Sequence, residues 1–127
     1  MKLTFDANTS VNLIRRYSAT ELVVGAVTLN RPCVVTVGRI LDDWPLVSIQ
    51  SLTAEELKPI LDLEPEVILL GTGERQVFPP ASLLAFCAAQ RIALEPMDLG
   101  AACRTFNVLV QEDRRVAGAF VIGAGRV

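Results

Sequence analysis

The sequence contains no histidine among its 127 residues, and this absence removes several kinds of chemistry. Ser-His-Asp and Cys-His catalytic groups need an imidazole, as do His-containing metal sites. The three cysteines, Cys33, Cys87 and Cys103, are far apart and form no CxxC pair, so a zinc site is not expected. An odd, dispersed set in a chain without a secretion signal is typical of buried free thiols. We therefore expect no metal ion and no cofactor.

Basic charge and long apolar runs are also lacking. Twelve Lys and Arg against fourteen Asp and Glu give a net charge of -2, which disfavours nucleic-acid binding because that function needs a basic surface. The pairs Arg15-Arg16 and Arg114-Arg115 are interpreted as solvated surface. No apolar run approaches the roughly 20 residues of a membrane span. The amino-terminal MKLTFDANTS lacks an apolar signal segment. The prediction is one soluble, cytoplasmic domain over residues 1–127, without membrane insertion.

The N-terminal part predicts extended structure. A short extended segment is expected near Leu3-Thr4-Phe5. Residues 21–29 (ELVVGAVTL) and 33–37 (CVVTV) are rich in β-branched residues and are separated by the turn signal Asn30-Arg31-Pro32. The two segments therefore predict an antiparallel hairpin. Further along, residues 53–56 (TAEE) have capping-box spacing, which predicts a helix from there to about Leu61.

From about residue 46 onward the predicted order is helix, strand, helix, strand, helix, strand. The strands are residues 67–70, 92–96 and 116–122. The helix at 81–90 is almost entirely apolar or small, so we expect it to be heavily buried, and Asp98 is expected to cap a helix that ends near Val110. This alternation predicts an α/β layer fold with a largely parallel sheet, to which the front hairpin adds antiparallel strands.

Polar residues follow two of these strands where each strand ends. GTGER (residues 71–75) follows the first, and Met97-Asp98 follows the second. If helix 81–90 is the crossover of one βαβ unit, both carboxyl ends lie at one edge of the sheet, where such folds bind ligands. Arg104 and Asn107 are neighbours on one face of the last helix, and Arg104 could hold an anion or a carboxylate. The candidate pocket contains Gly71, Thr72, Gly73, Glu74, Arg75, Met97, Asp98, Arg104, Thr105 and Asn107.

Each of these residues also has a purely structural interpretation. Gly71 and Gly73 can provide positive φ for a tight exit from the strand, and Asp98 can serve only as a helix cap. The loop has no lysine at the place that GxxxxGK[ST] requires and lacks the third glycine of GxGxxG, which disfavours a nucleotide-phosphate loop. Cys103 falls on the apolar stripe of its helix, and no nucleophile–base pair is recognisable. No catalytic residue is therefore assigned, and enzyme activity is disfavoured.

Three ordered motifs carry a family resemblance. The first is residues 63–73 (LEPEVILLGTG) followed by Gln76 and Pro79. The second is Met97-Asp98 with residues 101–105 (AACRT) and 107–109 (NVL), and the third is Glu112 with residues 115–117 (RVA). Over about residues 30–122 the chain resembles a small family whose mitochondrial members are known as assembly factor three of respiratory complex I. The resemblance implies a three-layer α/β domain with a central mixed five-stranded sheet, in which one strand runs against the others.

The resemblance assigns no catalytic residues, and the sequence departs from the family pattern at two positions. Leu99 stands where family members often carry Thr, and Phe106 stands where Tyr is common. The loss of both hydroxyls weakens any proposal that these positions bind polar ligand atoms. Three interpretations of function stay open. The chain is a non-catalytic interaction or assembly module acting on respiratory-complex subunits or other proteins. Alternatively, it binds a small anionic ligand, or is a weak enzyme, at the pocket described above. In the third, the polar edge is an oligomer or partner interface.

Overall fold

The computed structural model describes residues 11–123, so the extended segment predicted near Leu3-Thr4-Phe5 lies outside the described residues. Within them the chain forms eight strands and three helices. The strands are β1 (Ile14–Tyr17), β2 (Leu22–Val24), β3 (Val27–Leu29), β4 (Cys33–Thr36), β5 (Ile40–Leu41), β6 (Val67–Gly71), β7 (Ala93–Met97) and β8 (Val116–Phe120). The helices are α1 (Ala54–Leu61), α2 (Ala81–Ala89) and α3 (Leu99–Gln111).

The central sheet has five strands in the order β5-β4-β8-β6-β7. β6 pairs in parallel with both β7 and β8, whereas β4 is antiparallel to β8 and to β5. One strand, β4, therefore runs against the other four, and the predicted mixed, largely parallel sheet is confirmed. β6, α2 and β7 form the predicted βαβ crossover, with Val67 opposite Ala93 and Gly71 opposite Met97.

Two apolar clusters cover the two faces of this sheet, because successive side chains of a strand point to opposite sides. Ile68 and Leu70 of β6 belong to the cluster with α1 and α2. Val67 and Leu69 belong to the cluster with α3. The layers are therefore α1 with α2, the sheet, and α3, as the resemblance implies. β1, β2 and β3 form a separate sheet that packs against α3 through Ile14, Leu22, Val24 and Leu29.

The N-terminal hairpin exists, but the predicted pairing of its strands is wrong. Residues 21–29 do not form one strand; they form both strands of the hairpin, β2 and β3, which are joined at Gly25 and Ala26. Gly25 has φ +57, the left-handed conformation that a two-residue hairpin turn requires. Residues 33–36, the predicted partner, instead join the central sheet as β4. Glycine at the first central position is typical of type II′ hairpin turns, but the turn signal Asn30-Arg31-Pro32 predicted the turn at the wrong place.

The prediction that α2 is heavily buried is also wrong. Only Leu83 and Cys87 of this helix are buried, and Phe86 is 43% exposed. α2 lies at the β7 end of the sheet, where one narrow face is sufficient to cover the strand. By contrast, the predicted capping box of α1 is present: the Thr53 hydroxyl accepts the Glu56 N–H at 3.2 Å, and the Glu56 carboxylate accepts the Thr53 N–H at 3.0 Å.

Candidate functional site

The GTGER loop that follows β6 is organised around the side chain of Thr72. This residue is fully buried. Its hydroxyl donates to the carbonyl oxygen of Arg75 at 2.6 Å and accepts the N–H of Val77 at 3.0 Å. A buried hydroxyl must find partners within the protein, and a third one, the Met97 carbonyl oxygen at 3.2 Å, lies in the segment that follows β7. Thr72 therefore closes the loop, and its polar atom is not free to contact a ligand.

The GTGER loop is bonded directly to the segment that joins β7 to α3. The Thr72 N–H donates to the Met97 carbonyl at 2.8 Å, and the Leu99 N–H donates to the Gly73 carbonyl at 2.7 Å. Gly73 has φ +103, a conformation that residues with a Cβ rarely adopt. The Gln76 amide donates to the Pro96 carbonyl at 2.9 Å, and so occupies part of the open edge of β7. The two loops that follow these parallel strands thus lie side by side.

Asp98 performs a structural task at the start of α3. Its Oδ1 accepts the N–H of Ala101 at 2.9 Å, which is the hydrogen bond of an N-cap. One carboxylate oxygen is therefore already used inside the protein. The side chain is only half-buried, so the other oxygen still contributes negative charge to its surroundings.

A cavity of about 650 Å³ opens beside these two loops. Six of the predicted pocket residues line it: Thr72, Gly73, Glu74, Arg75, Asp98 and Arg104. The other lining residues come from three further places, namely the end of β1, the start of α3 and the segment after β8. They are Tyr17, Ser18, Ala19, Leu99, Gly100, Val121 and Gly123. Tyr17 carries no signal in the sequence, because only the packing of the small sheet on α3 brings it here.

Four predicted pocket residues do not line this cavity. Gly71 is buried at the end of β6, where an added Cβ would meet the Ala102 and Phe120 side chains at 3.1 Å. Met97 contributes its carbonyl to the loop contact described above. Thr105 lies half-buried on α3 and lines neither this cavity nor the neighbouring one. Asn107 lies further along α3 and lines the neighbouring cavity.

The Tyr17 hydroxyl and the Arg104 guanidinium converge above Gly100. A Cβ built on Gly100 would lie 2.6 Å from the Tyr17 hydroxyl oxygen and 3.2 Å from Nη1 of Arg104. The missing side chain at this position of α3 therefore allows both polar groups to approach the helix. A hydroxyl donor and a guanidinium placed this close together suit an oxygen of an anion.

A second, smaller cavity of about 420 Å³ adjoins the first and shares Tyr17 and Arg104 with it. It lies between β1 and α3 and is also lined by Ile14, Arg15, Arg16, Cys103 and Asn107. We refer to the two adjoining cavities together as the trough. Its lining includes four arginines, Arg15, Arg16, Arg75 and Arg104, and two acidic residues, Glu74 and Asp98. Of these, Arg15 donates from Nη1 to the Gly25 carbonyl in the turn of the small sheet at 3.1 Å.

Asn107 connects α3 to the open edge of the small sheet. Its side-chain oxygen accepts the Ile14 N–H at 2.8 Å, and its side-chain nitrogen donates to the Ile14 carbonyl at 2.9 Å. The carboxamide thus makes both hydrogen bonds that a neighbouring strand would make to Ile14, the first residue of β1. Asn107 is therefore a structural residue in this fold, although it was predicted as a pocket residue from its place on the helix.

Replacing Asn107 by Ala is expected to lower the free energy of unfolding by about 1–3 kcal/mol, because it leaves two half-buried backbone groups of Ile14 without partners. Urea unfolding measures this change, and faster amide exchange at Ile14 would locate it. Asn107→Asp is the matched variant: it can still accept the Ile14 N–H but cannot donate to the carbonyl, so it should also be destabilised. Full stability of Asn107→Asp would show that one hydrogen bond is sufficient.

The three cysteines are free and buried, as predicted. Burial raises the pKa of Cys33 and of Cys103 to about 12, and it also raises the pKa of Cys87. Cys103 lines the trough but holds its proton at neutral pH, so it does not supply a thiolate. Residues 11–123 also contain no group of three acidic or cysteine side chains able to hold a metal ion.

The free energy of unfolding is expected to fall as pH rises above 9.0. In the unfolded chain the thiols of Cys33 and Cys103 lose their protons near their ordinary value of 9.0, whereas in the folded protein their pKa is about 12. The stabilisation is therefore complete below 9.0 and is lost as pH rises through about 12. Urea unfolding across this range measures the slope. Cys33→Ala/Cys103→Ala should flatten it, and an unchanged slope would assign the loss to other groups.

The fold and the site define a mixed α/β domain with an arginine-containing trough that begins at the carboxyl edge of its sheet and continues between β1 and α3. Residues 14–121 match the family described as a protein of unknown function, DUF498/DUF598. The chain belongs to this family, and the match includes the small sheet as well as the region of the three motifs.

The relatives have names that describe different settings. Assembly factor 3 of the NADH dehydrogenase [ubiquinone] 1 alpha subcomplex from Xenopus tropicalis is 32% identical over 110 residues, which is 85% of this chain but only 60% of that protein. The chain thus spans little more than half the length of that factor. A "13 kDa major membrane protein" from Francisella tularensis is 31% identical over 104 residues, 81% of this chain and 85% of that protein. These relatives confirm the predicted family resemblance.

A solved structure supports the fold. The NMR structure of a protein from Xanthomonas campestris superposes on this chain with a TM-score of 0.81 at 38% identity. The superposition covers 88% of this chain and 85% of that chain.

None of the helices within residues 11–123 has the length and apolar character needed to cross a bilayer.

Proposed function

We propose that this chain is a non-catalytic, assembly-factor-like protein that binds a partner protein, and that the partner is a subunit of a respiratory complex. The observation that carries the proposal is the similarity to the vertebrate assembly factors, which extends over 85% of this chain in the Xenopus tropicalis protein. A similarity of this length is that of a domain, so the role of those factors is proposed for the domain and not for one short motif.

The contacts within the site support a binding role. The Thr72 hydroxyl closes its own loop and one oxygen of Asp98 caps α3, so these two groups build the site. Four arginines are among the residues that line the trough, and guanidinium groups bind anionic partners through hydrogen bonds and charge. For the compartment we propose the cytoplasm. All three cysteines are free, which is typical of a reducing environment.

The test has two parts, both made in the cells from which the protein comes. In the first, the tagged chain is cross-linked in living cells, purified, and its partners are identified by mass spectrometry. Subunits of NADH:ubiquinone oxidoreductase are expected to be enriched over a tag-only control. In the second, the gene is deleted, and the assembled complex is measured on native gels together with NADH oxidation by membranes. Both quantities should fall and should recover with the wild-type chain.

Two results would contradict the proposal. One is a normal amount of assembled, active complex in the deletion strain. The other is a purified chain that carries no respiratory subunit after cross-linking. Cell fractionation tests the compartment separately: recovery of the chain in a membrane fraction would contradict a cytoplasmic role and would agree with the name of the Francisella relative.

A further inference from the structure

The charge of the trough is opposite to that of the whole chain. The protein has a net charge of -2, yet the trough is lined by four arginines and two acidic residues. Within residues 11–123 the ion pairs are Lys58 with Asp62 and Arg114 with Glu66, and none of the four trough arginines takes part in one. The positive charge of the trough is therefore not neutralised by ion pairs inside the described part of the protein.

The arginines are distributed along the trough. Arg75 lines the larger cavity, Arg15 and Arg16 line the smaller one, and Arg104 lines both. They are held by three different elements: β1, the loop after β6, and α3. A single small anion would contact one part of this lining, whereas an extended chain with several carboxylates can contact all of it.

We propose that the trough binds an extended segment of the partner protein that carries several Asp or Glu side chains. This proposal rests on the proposed function and names the chemistry of the partner at the site. The central contact is Arg104, whose guanidinium lies beside the Tyr17 hydroxyl above Gly100, so one carboxylate can accept hydrogen bonds from both side chains.

The segment is recognised through its side chains and does not add as a strand along β1. The Asn107 carboxamide already makes both hydrogen bonds at the open edge of β1 beside Ile14. An added strand would have to displace it, and the edge is blocked at that point. Binding that depends on exposed charges should therefore weaken steeply as salt is added, because ions screen such pairs.

The test measures fluorescence anisotropy of a labelled, end-blocked peptide of alternating Glu and Ala, with a Gln-Ala peptide of the same length as the neutral control. The wild-type chain should bind the Glu peptide at low salt and not the Gln peptide. Arg104→Glu should weaken binding on the order of tenfold, since it replaces an attraction by a repulsion at the shared position. Arg75→Glu should weaken it less.

The matched control variant is Arg39→Glu. Arg39 is exposed in the turn between β4 and β5 and lines neither cavity, so this change alters the net charge equally while leaving the trough intact. Its affinity for the Glu peptide should stay within about twofold of the wild type. Arg104→Lys keeps the charge but loses the bidentate hydrogen bonding of the guanidinium group, so an intermediate affinity for the Glu peptide is expected. Thermal unfolding of each variant verifies that the fold is retained.

Three outcomes would overturn the proposal. The first is a wild-type chain that fails to bind the Glu peptide. The second is equal weakening by Arg104→Glu and Arg39→Glu, which would indicate only general charge attraction. The third is displacement of the peptide by phosphate or succinate at equal ionic strength, which would indicate a site for a small anion. Cross-linking with Arg104→Glu separates this inference from the proposed function. Retained respiratory partners would overturn the trough alone, whereas no partner for the wild-type chain would overturn the function.

Discussion

Gly118→Ala is expected to lower the free energy of unfolding by about 2–3 kcal/mol, because the added methyl group has no space. Gly118 lies in β8, the central strand of the five-stranded sheet, under the ring of Phe120. A Cβ there would overlap the Cζ atom of Phe120 and would lie 3.1 Å from the nearest ring atom of Phe106. Both rings are fully buried and meet edge to face at a centroid distance of 6.0 Å, so neither can move without disturbing the other.

The control for this prediction is Gly38→Ala. A Cβ at Gly38 meets no atom within 4 Å, and its φ is not positive, so the change should stay within about 0.5 kcal/mol. Urea unfolding of both variants measures the difference. Gly118→Ala/Phe120→Leu should be less destabilised than the sum of its single changes, because the smaller side chain relieves the clash. Strict additivity would show that the lost stability does not come from this contact.

Phe106→Ala is expected to have the largest effect, about 3–5 kcal/mol, because it opens a cavity in the centre of the protein. Phe106 is completely buried on α3, in the cluster that joins the helix both to the central sheet and to the small sheet. For a domain whose total stability is of the order of 5–15 kcal/mol, this loss leaves a large unfolded fraction at moderate temperature. Thermal and urea unfolding measure it.

Val108→Ala is the matched control on the same helix. Val108 is 50% exposed, and its replacement should change the free energy of unfolding by no more than about 0.5 kcal/mol. If both substitutions on α3 had similar effects, the cluster around Phe106 would not be the main support of this helix. A milder Phe106→Leu variant, which removes less volume, should fall between the two.

The local elements of the C-terminal half are predictable because their signals are local. Thr53 and Glu56 form the predicted capping box, Asp98 caps α3 as predicted, and the apolar run before Gly71 is a buried strand. Each depends on residues within one turn of helix or one strand. The βαβ argument also placed the two loops at one edge, since a crossover of this length makes its strands parallel.

The N-terminal half was less predictable, because strand partners depend on contacts distant in sequence. β1 and β5 were not predicted at all; both are very short, and β1 carries charged and exposed side chains. The pairing of residues 21–29 with residues 33–37 was predicted wrongly for the same reason, because a β-rich composition does not identify the strand with which a segment pairs. The burial of α2 was overestimated for a related reason: its composition is apolar, but its place at the end of the sheet leaves most of it exposed.

The sequence by itself determined the class of fold, the family, and the absence of histidine chemistry, because these depend on composition and on ordered local motifs. It also placed GTGER and Met97-Asp98 at one edge. Only the tertiary structure decided what the residues there do. It uses Thr72 to close a loop and Asn107 to hold β1. It also brings Tyr17 beside Arg104, 87 positions along the chain, because the small sheet packs on α3. Such a site depends on side chains distant in sequence, and their meeting is a property of packing that no local pattern encodes.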